Sequence, residues 1–411
     1  MKIAFILDAF PKLSETFILN QITGLIDRGQ EVDIYAGTGY RSCVHEDVHR
    51  YRLLDRCRYF PEPPKNRWPR YLKYLRLLLR LLLTGQFPLT RLFRAAIARK
   101  LKPALAALYR GSPLLCRNAY DIIQCHYGTN GNLAVELKAF GLKGKIVTMF
   151  HGYDLRLAQS GPPDRYKPLF SAGDCFLAIS DHSRSRLLRL GAAPEKIVYH
   201  PVGIDLDRFK FSWHGPDKTL SPPFRMITVA RLTREKGLGC GLEAFSLLLN
   251  DHPELSVEYR ILGDGPLEKD LKKQCADLQL TPYVKFLGSG SQETVIREMA
   301  RAHLFFLPSI EEVLPVVLME ALALGLPCVA ADTGSIAQVL TDQVSGYIAG
   351  KASSVDLADK LYRLISRPQS WREMGTAGRH HIETHYNIHH LNDQLLDLYA
   401  KLFSGSRPAA G

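Results

Sequence analysis

Paired cysteines and long hydrophobic runs are both missing from this sequence. Its eight cysteines are scattered with no Cys-x-x-Cys pair, so neither a disulfide framework nor a cysteine zinc site is indicated, and a reducing, cytoplasmic compartment is expected. No run reaches the roughly 18–20 apolar residues that span a bilayer, because the richest one, Leu77 to Leu83, contains Arg80. The first apolar stretch ends at Asp8, too early for a secretion signal, and is interpreted as a buried strand.

Acidic residues are missing from one segment. Between Lys65 and Arg117 the sequence has 13 Lys and Arg residues and no Asp or Glu. The net charge is +12, yet the rest of the chain carries 40 basic against 41 acidic residues. One segment therefore accounts for the whole basic excess.

This basic segment has a pattern typical of an amphipathic helix. In residues 68–80 leucines and cations both recur at spacings of four. A helix of this kind lies on an anionic membrane with its leucines buried and its cations near lipid phosphates. We therefore expect residues 65–110 to bind the inner face of the cytoplasmic membrane. A basic helix packed on its own domain remains an alternative, whereas nucleic acid is disfavoured because no recognised module for it is present.

The remaining sequence alternates short apolar runs with helical patterns. Its 46% hydrophobic and 23% charged residues exclude a disordered, collagen-like or coiled-coil chain. The apolar runs predict strands in two series, at 3–7, 31–35, 122–126, 146–150, 175–179 and 197–200, and then at 226–230, 257–262, 284–287, 304–307 and 327–331. The alternation predicts an α/β protein of two doubly wound, Rossmann-like domains that face a cleft, with ligands at the carboxyl ends of the strands. The predicted domains are 1–205, with a basic insertion at about 65–117, and 206–386, followed by a terminal helix and tail at 387–411.

A block from Pro308 to Gly325 combines two glutamates with an apolar helix. Glu312 stands just before the predicted helix start, where the free amides of Val316 and Val317 form an anion site. Glu320 lies within the apolar helix, and a buried carboxylate needs hydrogen-bond donors such as ligand hydroxyls. A glutamate paired with a neighbouring arginine is the structural alternative.

Two further blocks follow predicted strands. Arg231 and Lys236 stand five apart after one strand and can converge on a diphosphate, although solvated loop charges would show the same spacing. The Gly-Asp-Gly-Pro sequence that begins at Gly263 predicts a tight turn, which alone is a weak signal.

Together these blocks resemble the second domain of the family 4 retaining glycosyltransferases, which have the two-domain GT-B fold. The match consists of the Arg/Lys pair, the Gly-Asp-Gly-Pro turn, Phe-Leu-Gly at 286–288, and the Glu-x7-Glu pair. The resemblance implies that Arg231 and Lys236 bind the diphosphate of a nucleotide sugar, with Gly263 also on the donor side. It further implies that Glu312 contacts the transferred sugar and that Glu320 holds the ribose.

The first half contains a similar strand-to-turn junction at His151, which follows a predicted strand and precedes Gly152 and Asp154. A turn histidine bonded to Asp154 is the structural alternative. The resemblance implies that His151 contacts the donor sugar and assists catalysis. We place Asp154 and His126, which ends another predicted strand, on the acceptor side.

The Ser-Glu-Thr-Phe sequence at 14–17 follows the first strand. Ser14 or Thr16 is expected to cap the next helix and leave its amides free, and Ser14, Glu15 and Thr16 are assigned to the acceptor side. This sequence and the turn at His126 resemble the colanic-acid and exopolysaccharide branch of the family. From about Asn387 the last segment resembles the terminal helix that in GT-B proteins returns to the first domain.

Three residues depart from the family pattern. Val313 and Ser335 stand where glycine is usual, and Gln338 stands where glutamate is common. None of the charged residues named above is lost. The departures leave room for an unusual donor or an inactive relative.

No metal or other cofactor is expected, since the two cations can neutralise a diphosphate themselves. Asp205-Leu-Asp207 has the form of a metal-binding Asp-x-Asp. It falls at the predicted domain junction, where the resembled family has a turn without metal.

The sequence thus predicts a retaining, metal-independent hexosyltransferase. Its partners would be a UDP- or GDP-linked sugar and a glycan or polyprenyl-diphosphate-linked glycan acceptor, in exopolysaccharide or cell-surface polysaccharide synthesis. Two alternatives stay open. One is a GT-B sugar-nucleotide epimerase, and the other is a non-catalytic membrane-associated subunit of a polysaccharide assembly complex.

Overall fold

The computed structural model describes residues 1–12, 15–39, 45–62, 66, 68, 72–76, 79, 101–117, 120–162, 164–211 and 223–405. The chain divides into two compact units. One consists of Met1–Pro201 with Leu391–Gly411, and the other of Val202–His390. Each unit is built on one parallel sheet.

The sheet of the first unit has seven strands in the described residues. They are β1 (Lys2–Ala9), β2 (Glu31–Thr38), β3 (Cys57–Tyr59), β4 (Ile122–His126), β5 (Lys145–Phe150), β6 (Cys175–Ala178) and β7 (Ile197–Tyr199). Their order is β3-β2-β1-β4-β5-β6-β7, and every neighbouring pair is parallel. The connecting helices are α1 (Thr16–Asp27), α2 (Glu46–Arg50), α3 (Leu101–Arg110), α4 (Ser112–Leu115), α5 (Gly128–Lys138), α6 (Tyr153–Ser160), α7 (Lys167–Ala172) and α8 (Asp181–Arg189).

The second unit has a six-stranded sheet. Its strands are β8 (Phe224–Val229), β9 (Val257–Leu262), β10 (Val284–Gly288), β11 (Leu304–Leu307), β12 (Cys328–Ala331) and β13 (Gly346–Ala349), in the order β10-β9-β8-β11-β12-β13. The helices are α9 (Leu238–Asp251), α10 (Glu268–Asp277), α11 (Gln292–Ala300), α12 (Val316–Ala323), α13 (Ile336–Val339), α14 (Ser354–Ile365) and α15 (Trp371–His385). The last helix, α16 (Ile388–Phe403), begins in this unit and belongs to the first unit from Leu391 onward. Two parallel, Rossmann-like sheets confirm the predicted fold class.

The central strands are buried on both faces, which explains why they appear in the sequence as continuous apolar runs. All four residues of β11 and all five of β4 are buried. The polar Gln124 of β4 is tolerated there because its Oε1 accepts a hydrogen bond from the hydroxyl of Tyr399 at 2.7 Å. Tyr399 lies on α16, whose residues from Leu391 belong to the first unit.

The strand order reverses once in each sheet, between β1 and β4 and between β8 and β11. At such a point the helices that follow the two strands lie on opposite faces, so a crevice opens at the carboxyl ends. In each unit, several of the residues predicted to be functional follow these strands directly.

Part of the predicted basic insertion lies within the described residues, namely 66, 68, 72–76, 79 and 101–117. The rest of the insertion and Ser14 lie outside them. In the part of the chain that the structure describes, no helix has both the length and the apolar character needed to cross a membrane.

Candidate active site

Two loops of the second unit are joined by their backbones. The loop after β8 contains a short 3₁₀ helix, Arg234–Lys236, and the carbonyl of Glu235 accepts the amides of Ile310 and Glu311 at 3.0 and 3.2 Å. Ile310 and Glu311 lie in the loop after β11. The connection fixes the two loops relative to each other at the point where the strand order reverses.

Lys236 and Glu312 form an ion pair across these joined loops. The Lys236 Nζ lies 2.6 Å from Glu312 Oε1, and the two side chains are only 18% and 8% exposed. A buried carboxylate requires such a partner because desolvation of an unpaired charge is costly. The sequence predicted separate contacts for these residues, and the structure shows that they also contact each other.

A glycine turn holds the backbone of Glu312 from the other side. Gly334 has a φ of +59°, and a Cβ at this position would lie 1.6 Å from the carbonyl oxygen of Glu312. Only glycine combines this backbone conformation with so close an approach. The neighbouring Ser335 is buried, and its hydroxyl has no hydrogen-bond partner in the described chain.

The glycine turn at 263 packs against the loop that carries Arg231. A Cβ on Gly263, whose φ is +145°, would lie 1.8 Å from the carbonyl oxygen of Ala230. The carbonyl of Asp264 accepts the amide of Leu232 at 2.7 Å. These contacts fix the backbone on both sides of Arg231, whose side chain is 67% exposed and lies 3.6 Å from the carboxylate of Glu235.

Helix α12 begins directly after Pro315 and has free amides at its start. The N–H groups of Val316 and Val317 donate to no described residue, as is general for the first turn of a helix. With the positive end of the helix dipole, these amides form a site for an anion.

Glu320 lies one helical turn further along α12. Its carboxyl group makes no hydrogen bond to any described side chain or backbone group, and it keeps only partial exposure. Burial raises the pKa of Glu320 to about 8, since the charged form is poorly solvated there. Donors from a bound ligand are therefore the groups that would stabilise the carboxylate.

In the first unit, His126 and His151 form a histidine pair at the ends of two neighbouring strands. His126 ends β4 and His151 follows β5, and the register pairs His126 with Met149. The rings are nearly coplanar, with an interplanar angle of 10°, and His126 Nδ1 lies 2.8 Å from His151 Nε2. The rings of Phe17 and Tyr127 also lie 4.9 Å from the His151 ring.

Asp154 ties the two loops that carry these histidines. Its carboxylate accepts four amides, from Gly128 at 3.0 Å, His151 at 3.1 Å, Gly152 at 2.9 Å and Leu155 at 3.1 Å. Burial raises the pKa of Asp154 to about 6, and the four amides oppose that rise. Asp154 and His126 are both buried, with 0% and 1% of their surface exposed.

The start of α1 differs from the predicted capping arrangement. Glu15 is the cap residue and makes no side-chain cap, while Thr16 is the first helical residue, so the prediction that Thr16 caps this helix was wrong. The Glu15 carboxylate instead accepts the Tyr127 hydroxyl at 2.8 Å and contacts Lys12 at 2.6 Å. The buried Glu15 carboxylate is therefore occupied by Lys12 and Tyr127 and does not cap the amides of α1.

Sequence reasoning missed Phe17, Tyr127 and Asp8. Tyr127 has a φ of +73°, which a bulky residue rarely adopts and which indicates a strained backbone next to His126. Asp8 lies near the end of β1 and accepts a hydrogen bond from Asn130 at 2.9 Å. The position of Asp8 at a strand's carboxyl end was the available signal, whereas nothing local predicts the φ of Tyr127.

The Asp-x-Asp sequence lies beside a histidine. One ligand atom from each of Asp205, Asp207 and His389 lies within 4.8 Å of the others. Asp205 also accepts the amides of Asp207 and Arg208 at 3.0 and 3.3 Å and pairs with the Arg208 side chain. The carboxylate of Asp205 is therefore already engaged in a turn.

Cationic groups, free helix amides and carboxylates at the ends of Rossmann-like strands are the groups that an anionic, hydroxylated ligand would require. Two family models match the chain: "Glycosyl transferases group 1" over residues 213–381 and "Glycosyl transferase 4-like domain" over residues 14–203. The chain belongs to the glycosyltransferase family whose two domains these models describe.

Two similar relatives cover nearly the whole chain. The amylovoran biosynthesis glycosyltransferase AmsK of Erwinia amylovora is 33% identical over 98% of this chain and 100% of its own length. The putative colanic acid biosynthesis glycosyltransferase WcaL of Salmonella typhimurium is 33% identical over 97% of this chain and 99% of its own. The predicted branch of the family is thereby confirmed.

Solved structures confirm the GT-B fold. HepE of Anabaena, in complex with UDP and glucose, has a TM-score of 0.72 at 17% identity, with 98% of this chain and 100% of that chain covered. The lipopolysaccharide outer core galactosyltransferase WaaB has a TM-score of 0.67 at 20% identity, with 98% and 100% covered. At these identities the similarity shows the fold alone.

Proposed function

We propose that this glycosyltransferase moves a hexose from a UDP- or GDP-linked sugar to a glycan or polyprenyl-diphosphate-linked glycan in exopolysaccharide synthesis, with retention of the anomeric configuration. The buried Lys236–Glu312 pair beside the free amides of α12 is the observation that carries the proposal. The named roles of AmsK and WcaL in amylovoran and colanic acid biosynthesis support the class of product.

Charge develops on the departing nucleotide diphosphate during transfer. Arg231, Lys236 and the amides of Val316 and Val317 are the groups proposed to bind it, and Gly263 keeps the Arg231 loop in position. Preorganised donors of this kind stabilise a leaving group without reorganisation. Because they supply the positive charge, we propose that no metal ion takes part.

The carboxylates and His151 are proposed to orient the sugar nucleotide. Glu312 contacts the transferred sugar. When Lys236 moves from Glu312 to the diphosphate, the Glu312 carboxylate becomes free to bond to the sugar, so the two contacts are coupled. Glu320 accepts hydroxyl groups of the ribose, which would satisfy a carboxyl that has no partner in the described chain. His151 is likewise proposed to contact the donor sugar.

The test combines donor binding with turnover. Thermal shifts are measured for UDP, GDP, ADP and their sugars with the wild type and with Arg231→Ala/Lys236→Ala. The exposed Arg234 lies in the same 3₁₀ helix as Lys236, so Arg234→Ala is the matched control. We expect one nucleotide to stabilise the wild type and the control but not the double variant.

Turnover with the donor so identified is followed with and without EDTA and with a lipid-linked glycan acceptor. Loss of activity in EDTA, restored by a divalent ion, would contradict the metal-free proposal. Product formed from the donor without any acceptor would indicate an epimerase. No binding of any nucleotide would favour a non-catalytic subunit.

We also propose that the basic segment holds the enzyme at the inner face of the cytoplasmic membrane. Trp68, Leu72, Leu75 and Leu79 recur at the spacing of one helix face and are 82, 55, 54 and 49% exposed. Tyr74 is buried, and its ring lies 5.4 Å from that of Tyr109. An apolar face left exposed within a segment of 13 cations and no acids has the chemistry that anionic lipid satisfies.

Vesicle sedimentation tests this membrane proposal. We expect binding to vesicles that contain phosphatidylglycerol and little binding to phosphatidylcholine vesicles, with a decrease at high salt. Trp68→Ser/Leu75→Ser should weaken the binding, whereas Leu54→Ser, which removes another exposed leucine, should not. Equal binding of both variants would contradict the proposal.

A further inference from the structure

The histidine pair His126–His151 has a geometry that fixes the direction of a hydrogen bond. The rings are nearly coplanar and meet nitrogen to nitrogen at 2.8 Å. The lone pair and the N–H of an imidazole both lie in the ring plane, so this arrangement is a hydrogen bond and not a face-to-face stack. One of the two rings must donate and the other must accept.

Both rings are neutral, which leaves one proton on each. Burial lowers the pKa of His151 to about 3, and burial together with the neighbouring His151 lowers the pKa of His126. A neutral imidazole has one donor nitrogen and one acceptor nitrogen. The position of the proton on His126 therefore determines its position on His151.

The surroundings of His126 select between the two arrangements. His126 is 1% exposed, and its Nε2 has no hydrogen-bond partner among the described residues. If His126 Nδ1 accepted the bond, the proton would sit on Nε2 as a buried N–H without an acceptor, which is rare in proteins. If Nδ1 donates, only a lone pair remains unpaired.

We infer that His126 is a positioning residue that donates from Nδ1 to His151 Nε2 and thereby keeps the proton of His151 on Nδ1. His151 then presents a fixed N–H donor to a sugar oxygen, an assignment that rests on the proposed function. The Nδ1 of His151 has no partner in the described chain, and His151 keeps partial exposure whereas His126 does not. The hydrogen bond at one nitrogen commonly sets the tautomer at the other.

The rest of the cluster limits rotation of His151. Asp154 binds the amides of His151 and Gly152, and the rings of Phe17 and Tyr127 lie against the imidazole. These contacts fix where the ring lies, but none of them bonds to its nitrogens. The tautomer is therefore left to His126.

The first experiment reads the tautomer directly by ¹⁵N–¹H correlation of histidine side chains in the full chain, with no substrate added. We expect His151 Nδ1 to be protonated and Nε2 unprotonated in the wild type. In His126→Phe, which keeps a ring of similar size without nitrogens, we expect a mixture with protonated Nε2. A protonated His151 Nε2 in the wild type would overturn the inference.

The second experiment asks whether the tautomer matters for transfer. We expect His126→Phe to lower kcat by about 10- to 100-fold with little change in KM for the nucleotide sugar, and His126→Asn, which keeps a donor near the Nδ1 position, to recover most of the loss. His200→Phe removes another buried imidazole two strands away from β5 and controls for lost packing. Equal losses in the Phe and Asn variants, in step with lower melting temperatures, would show a structural role only.

The two experiments fail separately. A wild type that transfers no sugar from any nucleotide would refute the proposed function but leave the tautomer measurable. A wild type that transfers sugar with the opposite tautomer would refute the role of His126 alone.

Discussion

Replacement of Glu320 by glutamine tests the electrostatics of the second unit most directly. Burial raises the pKa of this carboxyl from 4.5 to about 8. Between these two values the folded protein keeps the proton while the unfolded chain has lost it. Stability therefore falls as the pH rises through this interval, since the folded state binds more protons. Glutamine is neutral at every pH and removes the effect.

The size of the effect follows from the shift. A difference of about 3.5 pKa units at about 1.4 kcal/mol per unit gives an upper limit of about 5 kcal/mol above pH 8. Partial exposure of Glu320 reduces this, and we expect Glu320→Gln to be more stable than the wild type by about 2–4 kcal/mol at pH 9. For a unit of this size that corresponds to a melting temperature higher by about 6–12 °C.

The assay is thermal melting of the ligand-free protein from pH 4 to pH 9. The two curves should coincide near pH 4 and separate as the pH rises. Glu293→Gln, an exposed glutamate of the same unit, is the control and should follow the wild type. If the melting temperatures of the wild type and Glu320→Gln changed in parallel with pH, the reasoning would be refuted, because the Glu320 carboxyl would then be equally solvated in the folded and unfolded protein.

Three further predictions concern the contacts that hold the site. Lys236→Met should destabilise the protein, because it leaves the Glu312 carboxylate unpaired. A double-mutant cycle with Glu312→Gln, measured by urea unfolding, should give a coupling energy of about 1–3 kcal/mol. Additive losses of stability in the two single variants would contradict the ion pair. Gly334→Ala should lower the melting temperature and weaken nucleotide binding, since its φ is +59° and its Cβ would meet a carbonyl oxygen at 1.6 Å. Gly29→Ala is the matched control, because its φ of +73° is also left-handed but its Cβ would meet nothing within 4 Å; by the same melting assay it should cost only the backbone strain, about 1–2 kcal/mol. Asp154→Asn should lower the free energy of unfolding by about 2–4 kcal/mol. Both carboxylate oxygens of Asp154 accept backbone N–H groups, whereas the side chain of asparagine has one accepting oxygen and an NH2 group that cannot accept. An unchanged denaturation midpoint would show that the four backbone N–H groups find other partners.

Most of the fold could be predicted because its central strands are buried on both faces. Such strands stand out as apolar runs, as in β4 and β11. The strands β3 and β13 were not predicted, because Arg58 interrupts β3 and β13 begins at Gly346, so neither shows a clear apolar run. Such a strand depends on its neighbour more than on its own sequence.

The members of the site could be predicted more readily than their contacts. Lys236 and Glu312 are 76 positions apart. The pairing of β8 with β11 brings their loops together, and the close approach at Gly334 and the backbone bonds to Glu235 set their distance. The side-by-side placement of His126 and His151 follows from two consecutive parallel strands. Their coplanar hydrogen bond depends on side-chain rotamers, which no pattern in the sequence specifies.

Each unit positions its functional side chains through bonds between loops. In the second unit the carbonyl of Glu235 joins the loops after β8 and β11, and in the first the carboxylate of Asp154 joins the loops after β4 and β5. Helix and strand packing alone leaves loops free to shift, whereas a 1 Å displacement of a reacting group is costly. Backbone atoms at these junctions therefore hold the charged and imidazole groups in place, while the side chains that would touch a ligand keep open bonding positions. On this argument Asp154, which joins its loops through a side chain, should be as sensitive to substitution as the residues proposed to bind substrate. Glu235, which joins its loops through a backbone carbonyl, should tolerate substitution.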